Sequence, residues 1–239
     1  MTAPLKWERC VVQRDSDVTN FVNAFFSDKQ RKVLLIAGAG FDPRASRVCE
    51  LLSGPLGKRL SAMLIREERP NAEAELCKRA EQNLRELLGF VPDARVIPLN
   101  IFAMDNAVIG GREAVKAVAQ IPLSDFTDVV VDKSALSRGV TFPVIKFLLQ
   151  SCKLQNVHVF VIDEPVTDEE IFAVAWEQAS SIHGFRGTLG PRVGAQASQT
   201  LVTATGERPK FGTRPDLQVD SAARCLPDIT FSRIGPATT

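Results

Sequence analysis

Apolar positions along the chain follow two alternating periods. Short unbroken runs of aliphatic residues, of which Val33-Leu34-Leu35-Ile36-Ala37 is the most apolar, read as strands buried on both faces. Between them lie stretches whose apolar residues recur every three or four positions, the mark of one helical face. Trp7 to Val12 predicts a first strand, and Val18, Phe21, Val22, Phe25 and Phe26 predict a helix capped by Ser16. After the strand from Val33 to Ala37 come a short helix from Ala45 to Leu52 and a strand from Leu60 to Ile65. Leu76, Cys77, Ala80, Leu84, Leu87 and Leu88 form the apolar stripe of a helix from Asn71 to Leu88, with Gly89 placed to end it.

The same alternation continues with a strand from Arg95 to Ile101, a helix within Gly111 to Ala119 and a strand from Val129 to Asp132. A helix from Phe142 to Cys152 is apolar nearly all round and should be largely buried, and Val157 to Ile162 is a further strand. Thr167-Asp168-Glu169-Glu170 has the form of a capping box opening another helix. Such repetition predicts an α/β domain over residues 1–182: a mostly parallel central sheet with helices on both faces, and Val33 to Ala37 central in it.

Residues 183–239 hold 7 of the 15 glycines and 5 of the 14 prolines without sustained periodicity, which predicts an irregular C-terminal extension. It carries seven basic and four acidic residues, a local excess of +3. The extension either packs on the domain, docks on a protein partner or continues into a longer chain, and Ile229 to Phe231 would add an edge strand.

Charge and composition narrow the function classes. With 29 basic and 28 acidic residues the net charge is +1, so nothing in the whole-chain charge calls for nucleic acid. No run approaches the roughly 20 apolar residues of a membrane span, and the first residues lack the apolar core of a signal peptide, which predicts a cytoplasmic protein with no membrane contact. Five cysteines without a C-x-x-C spacing read as reduced thiols. The chain has no tyrosine and only His158 and His183, which leaves no histidine-rich metal set.

In a parallel sheet, ligand chemistry gathers at the carboxyl ends of the strands. After the most apolar strand stands Gly38-Ala39-Gly40-Phe41-Asp42-Pro43-Arg44. The glycines let the backbone turn tightly and approach a ligand, and a helix start followed by an arginine offers free N–H groups and a forked cation to an anion. A purely structural reading makes the same segment a tight turn, with Asp42-Pro43 capping the next helix and Arg44 paired with Asp132 or Asp163. The second cluster is Asp132-Lys133-Ser134-Ala135-Leu136-Ser137-Arg138-Gly139. There Ser134 and Arg138 suit a phosphate, and Asp132 suits a ribose hydroxyl or a metal-bound water; the structural alternative is a turn with a salt-bridged arginine. Asp163-Glu164 forms a third end, either a base or cation site or a helix cap. Asn100 and Asp105 flank a fourth.

The Gly-x-Gly at 38–40 resembles the opening of Rossmann-type dinucleotide-binding turns, with Pro43 where those turns place a third glycine. Glu67 and Glu68, about 27 residues beyond Gly40, stand near the position where such folds hold the ribose with an acid. The resemblance is to the superfamily and implies a nucleotide as ligand. It would be bound through Gly38, Gly40, Asp42, Arg44, Glu67, Ser134 and Arg138, with Asp132 and Asp163 as catalytic acids of a hydrolase or transferase. The competing expectation is a non-catalytic interaction or regulatory domain.

Overall fold

A computed structural model describes residues 10–70, 72–150, 154, 156–163 and 228–234. Among these residues seven strands form one sheet, all neighbours parallel: β1 (Cys10–Arg14), β2 (Val33–Gly38), β3 (Leu60–Glu68), β4 (Arg95–Asn100), β5 (Asp128–Asp132), β6 (Asn156–Ile162) and β7 (Asp228–Ile234). Their order is β1-β7-β6-β5-β2-β3-β4. From β2 the chain winds outward through β3 and β4, then returns to the other side of β2 to lay down β5 and β6. This reversal makes the carboxyl ends of β2 and β5 the switch point of a doubly wound sheet.

The apolar runs explain which strands are central. Every residue of β2 and of β5 is buried, as strands covered by helices on both faces must be. Val33, Leu35 and Ala37 face one core, with α1 (Ser16–Phe25), α2 (Arg47–Leu56) and α3 (Ala74–Phe90). Leu34 and Ile36 face the other, with α4 (Gly110–Ala119) and α5 (Arg138–Gln150). Each fully buried aliphatic side chain contributes about 1.5–3 kcal/mol of apolar burial. β4 forms one edge, where Pro98, which has no N–H to offer, limits the open ladder.

Several boundaries differ from the sequence reading. Ser16 is the first residue of α1 and does not cap it; Asp15 precedes it with φ 51°. The helix α3 passes through Gly89 to Phe90, because a glycine ends a helix only where the chain turns into the left-handed region, and here it does not. β3 runs on to Glu68, which makes Glu67 and Glu68 strand residues. The helix expected from Phe142 starts earlier, at Arg138. β7, expected as an edge, lies between β6 and β1 in register with both, so residues of the C-terminal extension enter the sheet. The capping box at 167–170, Glu164 and His183 lie outside the described residues.

Candidate functional site

Strand ends that are far apart in sequence meet at the switch point. Gly38, the last residue of β2, lies against the segment that follows β5. A Cβ on Gly38 would come within 2.4 Å of the Ala135 carbonyl oxygen, so only glycine allows this backbone approach. At Gly40 the same carbonyl would be 3.4 Å away, an ordinary contact, and a side chain is tolerable there. The first glycine therefore serves the packing of two loops, and the second leaves the turn open.

The turn beyond Gly40 is held by side chains. Asp42 does not cap α2, which begins at Arg47. Its Oδ1 accepts the Arg44 N–H at 2.9 Å, and its two oxygens take the Arg44 guanidinium, Nε at 2.9 Å and Nη2 at 2.7 Å. Arg44, expected on Asp132 or Asp163 in the structural reading, thus forms a forked pair within its own turn. From α3, Asn83 donates both amide hydrogens to the turn, at 2.8 Å to the Gly40 carbonyl and 2.8 Å to the Asp42 carbonyl. Asn83 escapes sequence reading, since a polar residue among the charged positions of a helix carries no distinguishing period. A cleft of about 340 Å³ lies beside it, between Phe41, Pro43, Arg79 and Glu86.

Asp132 ends β5 beneath this turn and is only 1% exposed. Its Oδ1 accepts the Ser134 N–H at 2.9 Å, whereas Oδ2 is buried without a hydrogen-bond partner among the described residues. Burial pushes its pKa up to about 7, with the Asp42 charge adding to the rise and hydrogen bonds from Ser134 and the charge of Arg44 opposing it. The Cys49 thiol of α2 is pushed up to about 12 by burial and then by the Asp132 charge, so it is an inert thiol.

Other expected site residues have local partners. Ser134 Oγ accepts the Ile162 N–H at 3.0 Å and ties the segment after β5 to the end of β6. Glu67 Oε1 accepts the Ser137 N–H at 2.7 Å, which sets a carboxylate at the positive end of α5, and its other oxygen lies 3.7 Å from Arg69. Glu68 pairs with Arg66 at 3.0 Å and borders a second cleft of about 510 Å³ at the ends of β3 and β4, with Asn100, Phe102 and Met104. Arg138 is exposed on the first turn of α5, and Asp163, half-buried, follows β6. Asp105 accepts the Ala107 N–H at 3.1 Å and closes a turn. The structure therefore brings together Gly38, Gly40, Asp42, Arg44, Asp132, Ser134 and Glu67, and leaves Arg138 at the rim.

At the opposite end of β5 stands a second buried polar group, in which Arg31 Nε and His158 Nδ1 have no hydrogen-bond partner among the described residues. Asp128 is fully buried and receives Arg31 Nη1 at 3.2 Å and Thr127 Oγ1 at 2.6 Å, with His158 Nε2 at 2.9 Å. Burial alone would raise its pKa; the hydrogen bonds of His158 and Thr127 and the charges of His158 and Arg31 outweigh that and lower it. Phe21, Phe25 and Phe26 of the α1 region enclose His158, with ring centroids 5.3–5.8 Å away. His158 is packed, as a histidine inside a strand suggests.

Among the described residues, no helix is long and apolar enough to cross a membrane. No protein-family model and no curated protein matches the chain, so the reading of the site rests on its geometry.

Proposed function

We propose that the chain is a binding domain for a small phosphate-bearing ligand of the nucleotide class, seated at the switch point on the turn from Gly38 to Arg44. The observation that carries this reading is the convergence, around one turn, of the ends of β2, β3, β5 and β6 with Asn83 and Arg44 fixing the turn's shape. Switch points of doubly wound sheets are where such folds take ligands, and the strand order supports the Rossmann-type resemblance of Gly38-Ala39-Gly40. The phosphate would meet the turn's backbone and Arg44, already oriented by Asp42.

A specific feature favours the alternative of a non-catalytic interaction domain: the forked Arg44–Asp42 pair closes the turn on itself without a ligand. Thermal melting against NAD, ATP, GTP and nucleoside monophosphates separates the two. A ligand at 100 times its dissociation constant adds about 2.7 kcal/mol of stability. Arg44→Ala should then weaken the bound nucleotide about 10- to 150-fold, the loss of a charge-assisted hydrogen bond. Unchanged nucleotide affinity together with an earlier melt would make Arg44 a structural residue and support the interaction domain.

A further inference from the structure

The second oxygen of Asp132 distinguishes this site from a bare anion-binding turn. Resting on the phosphate-ligand reading, we propose that the ligand carries a hydroxyl close to its phosphate, as a ribonucleotide or a sugar phosphate does, and that this hydroxyl donates to Asp132 Oδ2.

A phosphate needs donors, and a turn with Arg44 supplies them without any acid. Yet the site also holds a carboxylate acceptor, 1% exposed, at the end of a central strand and with no donor on Oδ2 among the described residues. Buried acceptors are rarely left unmatched, because the lost hydration is not recovered. Among the described residues, the nearby N–H donors are engaged elsewhere, and the Ser134 hydroxyl, whose hydrogen bond also favours the charged Asp132, leaves Oδ2 unmatched. Arg44 is turned to Asp42, the Ser134 N–H is on Oδ1, and the Ser137 N–H is on Glu67. Among the described residues, the charged and titratable groups that act on Asp132 or feel it are Asp42, Arg44 and Cys49. In its ionised form, above its pKa of about 7, Asp132 repels a ligand phosphate, which has no hydrogen to donate to Oδ2. A hydroxyl donates and carries no charge, which selects a ligand with both groups. Oδ2 has no exposed surface in this structure, so a ligand hydroxyl reaches it by displacing the atoms that cover it.

The test compares pairs differing only in hydroxyls on the wild-type protein: AMP against 2′,3′-dideoxy-AMP, and ribose 5-phosphate against 2-deoxyribose 5-phosphate. A preference of about 10-fold or more for the hydroxylated member, abolished in Asp132→Asn, supports the assignment. Preference in both pairs places the bond on the 2-hydroxyl, and preference within the AMP pair alone, since 2-deoxyribose 5-phosphate keeps its 3-hydroxyl, places it on the 3-hydroxyl or requires the base. Equal affinity for both members of each pair overturns the hydroxyl assignment and leaves phosphate binding standing. Failure of every phosphate compound to bind overturns the binding reading itself, and this inference with it. The wild-type comparison needs no variant, so it holds even if Asp132→Asn alters folding.

Discussion

Asp128 and Asp132 begin and end the same strand, and as residues i and i+4 of a strand they point to the same face. Both are buried, at 0% and 1% exposure. Asp128 is surrounded by Arg31, Thr127 and His158, and its pKa is lowered; Asp132 has one oxygen on its own loop and one without a partner, and its pKa is raised. One strand thus carries a carboxylate that holds the fold and a carboxylate that the fold holds at a cost. The difference is positional. The amino end of β5 is closed by α1 and the Arg31 segment, whereas its carboxyl end opens on the switch point, where a sheet leaves room for chemistry.

The largest expected effect is at the amino end. Asp128→Asn leaves Arg31 without its buried anion and should destabilise the protein by about 3–5 kcal/mol in denaturant unfolding. A loss below about 1 kcal/mol would mean that the polar group is not a fold-holding unit and would erase the contrast. Asp128 also sets an acid limit: its lowered pKa contributes stability that is present above the ordinary carboxylate range and is lost as pH falls through its folded pKa.

At the carboxyl end the two glycines should separate. Gly38→Ala must push the Ala135 carbonyl aside and should cost about 1–3 kcal/mol, while Gly40→Ala should stay within about 0.5 kcal/mol. Equal costs would show that the two loops do not meet at Gly38. Asn83→Ala removes two hydrogen bonds to the turn and should cost about 1–2 kcal/mol by thermal melting. Its effect on nucleotide affinity should exceed that stability loss if the turn's shape is what binds; an unchanged affinity would separate the turn from the ligand.

How much of this was legible depends on whether a feature is local. The central place of Val33 to Ala37 follows from an unbroken apolar run, and the positions of Asp132 and Arg44 follow from strand ends. The Asp128–His158–Arg31 group could not be read, because it joins residues 97 and 30 positions apart through the β5–β6 register and the packing of α1. Asn83 was hidden for the same reason. Gly89 misled because a glycine near a helix end is a frequent cap, yet here the helix continues through an exposed Phe90 and buries Val91 just after it. Glu67 was picked out as a candidate by spacing, but its engagement with Ser137 depends on the start of α5 at Arg138, earlier than the apolar pattern alone implies.

The central claim, that Asp132 is kept at the expense of stability, is tested most directly by following unfolding free energy from pH 4 to pH 9 for the wild type and Asp132→Asn. A carboxyl raised from 3.8 to about 7 stabilises the folded state fully below its unfolded pKa and loses that contribution as pH rises through about 7. At about 1.4 kcal/mol per pH unit, the wild type should lose about 2–4 kcal/mol relative to the variant over this range. The two proteins should be nearly equal in stability at pH 4, and Asp132→Asn the more stable above pH 8. A variant less stable than the wild type at pH 8 would contradict the account, making Asp132 a second fold-holding carboxylate like Asp128.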